Sequence, residues 1–370
     1  MQSSIRPGAP GGFARACVAA GAAAAIVSIM PGPSSAPVSK ASGIPSRAVA
    51  LTASWGDVIA TAQDNATEIW QHFSPAPFVA LQQQIVNQIG YVHELITGTG
   101  SLQDVVDQIQ ANVTAVFGSP ATDDGTAAPG ALFGPFLPPG GATDTLYQSL
   151  DDVVRSTGTG LFGPGLVFLT HEQLDGLLNS LLPDLLSPLG LSDSDLPAVQ
   201  AVFDLLGAPA SGLLMGEIGT MLSPALQFND DITAIADALS AAGGPDWATA
   251  SQDLLGMPAD VANAFLNGYG DVDLLPILDQ LGITLPLLSL LGQDATIDAL
   301  AVNLGGLLSG GGSVFDSLGL GVDLGALGSF DLPGIAVGPL ASMVELGQAI
   351  AEALGWDGTG APLDLMGALS

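Results

Sequence analysis

The stretch from Ser74 to Phe117 reads SPAPFVALQQQIVNQIGYVHELITGTGSLQDVVDQIQANVTAVF and contains the clearest helical pattern in the chain. In its first half, apolar residues recur every three or four positions, which is the period of one helix face. These residues are Phe78, Leu81, Ile85, Ile89, Val92 and Ile96. The opposite side carries Gln82, Gln83, Asn87, Gln88 and Glu94. We therefore expect a helix that begins near Pro77 and packs its apolar face against another element.

The second half of this stretch predicts a partner helix. A Thr97-Gly98-Thr99-Gly100 break offers the backbone freedom that ends a helix. Ser101, followed three residues later by Asp104, is a variant of the capping box that starts one. A second apolar stripe comprises Leu102, Val105, Val106, Ile109, Val113, Val116 and Phe117. Two helices joined by so short a link favour an antiparallel hairpin.

Charge is distributed very unevenly along the chain. Charged residues make up 11% of the 370 residues, and 36 acids oppose 5 bases, for a net charge of −31. After Arg47 the only base is Arg155, whereas every acid lies from Asp57 onward. Nucleic acid is therefore excluded as a partner, because phosphate contacts need clustered Lys and Arg. Attraction to anionic membranes is disfavoured for the same reason, and small cations are the natural small partners.

Residues 1–50 have the features of an export signal. Arg6 and Arg15 form a basic region, and an apolar run from Ala16 to Met30 follows. The Ala48-Val49-Ala50 motif has the form of a cleavage site but lies far beyond that run, so an uncleaved N-terminal anchor stays open. The only cysteine, Cys17, lies within the segment, so the chain after it offers neither disulfide nor thiolate chemistry.

The composition of the remaining chain predicts a mainly α-helical protein, with amphipathic hairpins and short helices joined by long Gly/Pro-rich loops. Its first helix, 55–73, would be capped by Ser54. Residues 231–239, 247–255 and 258–267 predict three further short helices, and 337–354 predicts a last one. The predicted regions are a helical hairpin region at 51–117, a Pro/Gly-rich linker at 118–142, a leucine-rich helical region at 143–304, a glycine-rich low-complexity segment at 305–338, and a C-terminal helix and tail at 339–370.

Motifs for catalysis and metal binding are incomplete. His93-Glu94 and His171-Glu172 begin like a zinc-protease helix, but the second histidine is replaced by Thr97 and Asp175. No G-x-S-x-G occurs, and no lysine follows Lys40, which excludes a P-loop. The pairs Asp193 with Asp195 and Asp271 with Asp273, and the glycine-rich turn around Asp323, are better explained by helix caps and turns than by calcium sites. We expect no cofactor, no metal and no enzymatic activity.

Three stretches resemble a known family when taken together. They are RAVALTASW from Arg47, PFVALQQQIVNQIGYV from Pro77, and MPADVANAFLNGYGDVDLLP from Met257. They resemble exported proteins of mycolic-acid bacteria known as outer-membrane porins of the GjpA type, and more loosely the Gly/Ala/Leu-rich envelope proteins of mycobacteria. The resemblance implies an exported protein of the cell wall or outer membrane that forms a water-filled channel. It implies no particular catalytic or pore residue.

The function expected first is therefore passive diffusion of small hydrophilic solutes through an envelope channel. Several copies would assemble to enclose water, and rings of acids would favour cations. The acids singled out for such rings are Asp151, Asp152, Asp230 and Asp231. One alternative is a non-channel structural or surface-interaction protein that holds envelope lipid or partner helices on its apolar helix faces. A further alternative is a secreted hydrolase with a serine near His171.

Overall fold

The computed structural model describes residues 54–119, 130–133, 154–155, 168–169, 204–281, 296–323, 325 and 328–363. The predicted signal segment at 1–50, most of the linker at 118–142 and most of the leucine-rich stretch before 204 lie outside these residues. The described part is mostly helical, as predicted, with a small antiparallel sheet that was not predicted. The helices are α1 (Trp55–Phe73), α2 (Val79–Thr97), α3 (Leu102–Phe117), α4 (Pro209–Leu239), α5 (Trp247–Asn267), α6 (Leu275–Leu281), α7 (Val314–Ser317) and α8 (Pro339–Ala353).

The helical hairpin is confirmed in both its helices and its turn. Gly98 ends α2 in the left-handed region at φ 71°, which glycine adopts without steric cost. Ser101 and Asp104 form the reciprocal capping box at the start of α3. Two polar contacts join the helices: Asn112 donates to the Tyr91 hydroxyl at 2.6 Å, and Gln108 donates to Glu94 at 3.0 Å.

An antiparallel sheet lies within the regions 143–304 and 305–338, where no strand was predicted. Its strand order is β3 (Gly270–Asp273), β4 (Thr296–Leu304), β5 (Leu318–Asp323) and β6 (Ser329–Leu332). A separate two-stranded pair joins β1 (Val154–Arg155) to β2 (Phe168–Leu169). In β5, glycine alternates with leucine or valine up to Val322, which is the period of a strand. Because glycine and leucine are so abundant in this segment, its composition indicated low complexity and the alternation was not interpreted as a strand.

The core lies between the sheet and α4. Tyr269, Val272, Val302, Leu304 and Val337 form one buried cluster with Met215 of α4. On its glycine-bearing side, α4 approaches the backbone of the glycine-rich segment. A Cβ atom added at Gly212 would lie 1.6 Å from the Gly312 carbonyl oxygen, and one at Gly216 would lie 2.4 Å from the Pro339 nitrogen. The glycines of α4 therefore allow close contact between that helix and the backbone of the segment from 305 to 339.

Two helices contain an interior proline, and one of these prolines, Pro258, was expected to start a separate helix. The predicted short helix 231–239 is the end of the 31-residue α4, which contains Pro224. The two short helices predicted on either side of Pro258 are one helix, α5. An interior proline removes a hydrogen bond and costs about 3 kcal/mol, so packing must offset it. Buried residues on both sides of Pro258, among them Ala250 and Ala264, supply such packing.

Among the described helices, none combines the length and the apolar character needed to cross a membrane.

Candidate functional site

Helix α2 packs its polar side inward. Gln83 is only 7% exposed, and its amide donates to Asn87 at 3.0 Å. Asn87 in turn donates to the Leu354 carbonyl at 2.9 Å. Gln82 accepts a hydrogen bond from the Leu363 backbone at 3.2 Å. The glutamine and asparagine side of α2 is thus the side that binds the C-terminal end of α8 and the tail after it.

The chemistry of a helix end explains this orientation. The last carbonyls of α8 have no partner within their own helix, so they need donors from elsewhere. Leu354 follows that helix as its C-cap, and the side-chain amide of Asn87 on the polar side of α2 donates to its carbonyl. A small apolar cluster of Ala76, Val79 and Ala351 adds packing at the same contact. Docking on α8 therefore turns the long aliphatic side of α2 away from the core.

The aliphatic side of α2 lies on the surface. We call it the outer face and define it by Phe78, Leu81, Ile85, Ile89, Val92 and Ile96, all of which are exposed. Ile96 is the most exposed of them, at 80%. The expectation that this stripe packs against another element of the chain is therefore wrong for the structure described. Contiguous exposed apolar surface of this kind marks sites that bind other molecules.

An aromatic group extends the outer face toward α1. The Phe73 and Phe78 rings pack edge to face with centroids 5.1 Å apart, and Trp70 lies 5.9 Å from Phe73. Phe78 has a left-handed backbone with φ 52° although it is not glycine. Such strain costs on the order of 1–3 kcal/mol and tends to occur at functional positions. Here the strained residue presents an exposed aromatic ring at the start of α2.

The outer face is electrically neutral within a highly acidic protein. No Asp, Glu, Lys or Arg occurs between Glu68 and Glu94. Glu94 itself points toward α3, where it accepts the hydrogen bond from Gln108. A chain with a net charge of −31 therefore keeps this apolar helix face free of formal charge. Transfer of this face into an apolar phase would not require the desolvation of an ion.

The acids predicted to line a pore have structural partners where the structure describes them. Asp230 accepts a hydrogen bond from the Tyr269 hydroxyl at 2.6 Å. Asp231 is 4% exposed and accepts from Gln227 at 2.8 Å, and its burial raises the pKa of its carboxyl. Asp151 and Asp152 lie outside the described residues. The structure thus places Asp230 and Asp231 together on α4, with the Asp231 side chain turned away from solvent.

The other chemical candidates gain little support. His93 lies on the exposed part of α2, and His171 falls outside the described residues. In the part of the chain that the structure describes, no three His, Cys, Asp or Glu side chains are grouped so that they could hold a metal ion. The Gly319, Gly321 and Asp323 positions belong to strand β5.

A buried carboxyl that was interpreted only as a helix cap is Asp271 on β3. It is 4% exposed and faces Asn303 of β4 across the sheet. Burial raises the pKa of Asp271 to about 6, and the interaction with Asn303 partly opposes this shift. The folded protein therefore binds a proton between about pH 4 and about pH 6 that the unfolded chain does not bind. The contribution of Asp271 to stability is largest below that window and is lost as the pH rises through it.

We expect Asp271→Asn to stabilise the protein at about pH 8 by on the order of 2 kcal/mol, because the amide avoids the cost of a buried carboxylate. At about pH 3, where Asp271 is mostly protonated in both the folded and the unfolded state, the variant and the parent should be nearly equally stable. Urea unfolding at both pH values measures the difference.

The exposed Asp298→Asn variant is the matched control, and it should leave stability nearly unchanged at both pH values. Burial also raises the pKa of Glu352 to about 7, so this residue makes the stability of the parent and of each variant depend on pH in the same way. Its effect therefore cancels when their stabilities are compared. Equal stability of parent and Asp271→Asn at both pH values would contradict the burial of this carboxylate.

Searches against protein-family models, curated proteins and solved structures find no match to this chain.

Proposed function

We propose that this protein is an exported, non-enzymatic component of the cell envelope that attaches to lipid through the outer face of α2. The observation that carries the proposal is the orientation of that helix, which buries its amides and exposes its aliphatic stripe. The export features of residues 1–50 and the family resemblance support the location in a cell wall or outer membrane.

The geometry suits a helix that lies in the lipid surface. At about 1.5 Å per residue, the 19 residues of α2 extend roughly 28 Å. Its polar side is occupied by α8, so it would lie parallel to the surface and immerse only the outer face. Complete burial of one large apolar side chain contributes about 1.5–3 kcal/mol, so partial burial of six contributes several kcal/mol toward attachment, against which the cost of immobilising the protein must be set.

The triple substitution Leu81→Gln, Ile89→Gln and Ile96→Gln tests this attachment. Each residue is exposed, so the change should leave the fold intact while it removes apolar area from the outer face. We expect the full-length parent to float with phosphatidylcholine vesicles in a density gradient. The variant should lose at least about tenfold in vesicle affinity, which corresponds to only about 1.4 kcal/mol.

A matched control carries three glutamines at exposed apolar residues elsewhere, at Met221 of α4 and at Leu254 and Leu255 of α5. The control should bind vesicles like the parent. Attachment through the outer face is wrong if the α2 variant still floats with the vesicles, or if the control loses binding equally.

Channel formation is the second candidate, which the family resemblance favours. In that case several copies would assemble, and acids such as Asp151 and Asp152 would select cations. Conductance across a planar bilayer under a potassium chloride gradient tests it. Stable steps with a cation-selective reversal potential would support a channel, whereas a silent bilayer together with vesicle binding would favour attachment alone.

A further inference from the structure

The outer face lacks the basic residues that amphipathic helices use on anionic membranes. Such helices usually carry Lys and Arg on their polar side, where the side chains meet lipid phosphates. Helix α2 contains neither, and its polar side contacts the end of α8. Beyond Arg47 the sequence has Arg155 as its only base. The face can thus offer an apolar contact but no lysine or arginine.

The surroundings of the outer face are acidic. Glu68 and Glu94 flank the neutral stretch in sequence, and the remaining acids are distributed over a body with a net charge of −31. At about 0.01 M ionic strength the Debye length is about 30 Å, which exceeds the roughly 10–12 Å diameter of a helix, so a charged lipid surface in contact with the outer face acts on the acids behind it. An anionic surface would repel them, whereas a surface of zwitterionic or uncharged headgroups would not.

We infer that the partner of the outer face is a lipid surface without net negative charge, and that the acidic body of the protein discriminates against anionic lipid. This inference rests on the attachment proposed above and adds to it the class of lipid. The apolar stripe supplies the affinity and the absence of bases supplies the selectivity. A second copy of the chain is a less favourable occupant, because it would bring another body of the same charge to the same contact.

Vesicle flotation of the full-length protein tests the selectivity directly. One vesicle population contains phosphatidylcholine alone, and the other contains equal parts of phosphatidylcholine and phosphatidylglycerol. At about 0.01 M ionic strength we expect phosphatidylglycerol to lower the affinity roughly tenfold or more, since each charged side chain near such a surface changes it about fivefold. At about 1 M, where the Debye length is about 3 Å, the difference should nearly vanish.

The outcomes separate this inference from the attachment on which it rests. Equal or stronger binding to the anionic vesicles at low ionic strength would overturn the selectivity and leave the attachment standing. No binding to either population would overturn the attachment itself. The remaining possibility is that the outer face binds a second copy of the chain, and sedimentation of the parent and of the α2 triple variant tests it. If the parent is a dimer that does not bind vesicles, and the triple variant is a monomer, the outer face is a contact between two copies.

Discussion

Gly212→Ala is expected to destabilise the protein by about 3 kcal/mol or more, because the new methyl group has no space. Its Cβ would lie 1.6 Å from the Gly312 carbonyl oxygen. That obstacle is backbone, so no side-chain rotation can relieve it. Helix α4 would have to move away from the glycine-rich segment and thereby open the core beside Met215. Urea unfolding followed by circular dichroism measures the loss.

The matched control is Gly347→Ala in α8, where an added Cβ meets nothing within 4 Å. This helical glycine can accept alanine, and the substitution should stabilise the protein by about 0.5–1 kcal/mol. The two variants make the same chemical change and should shift the unfolding midpoint in opposite directions. Unchanged stability of Gly212→Ala would show that α4 does not lie against residues 305–312.

Tyr269→Ala should cost about 3–5 kcal/mol, the range for removal of a large buried aromatic side chain. Tyr269 is among the largest fully buried side chains and belongs to the cluster between α4 and the sheet. Burial, with the nearby Asp230 carboxylate, raises the pKa of its phenol, so the hydroxyl remains a proton donor at neutral pH. Thermal and urea unfolding both report the expected loss.

Tyr269→Phe separates the ring from the hydroxyl. It preserves packing but removes the donor to Asp230, and we expect a cost of about 1–2 kcal/mol. If Asp230 instead faces a conducting path, Asp230→Asn would change the reversal potential of a bilayer recording with little effect on stability. A stability loss for Tyr269→Phe with no such change in potential would assign Asp230 to the fold.

Local sequence patterns were sufficient for the elements whose signals lie within a few residues. The Ser101-to-Asp104 spacing placed the start of α3, and Ser54 placed the start of α1, because a cap is formed by neighbours in the chain. The spacing of apolar residues placed α2, and Gly98 placed its end. These predictions needed no knowledge of what the helices pack against.

The strands could be predicted less well because they depend on distant partners. Thr296–Leu304 pairs on one side with Gly270–Asp273 and on the other with Leu318–Asp323. Its sequence, TIDALAVNL, contains alanine and leucine that suit a helix equally well. The period-two alternation in β5 was visible, but the abundance of glycine favoured an interpretation as low complexity. The local propensity of this segment allows a helix or a strand, and its pairing with the two neighbouring strands determines that it forms a strand.

The sequence by itself determined that the described part of the chain is mainly helical, that two of its helices form a hairpin, and that the protein is strongly acidic with one long neutral stretch. It did not determine which side of α2 faces water. Periodicity shows that a helix has two unlike sides, but burial depends on what the neighbouring element requires. At the end of α8 the Leu354 carbonyl requires hydrogen-bond donors, and the amide side of α2 supplies them. Only the tertiary structure therefore turned the apolar side of that helix outward.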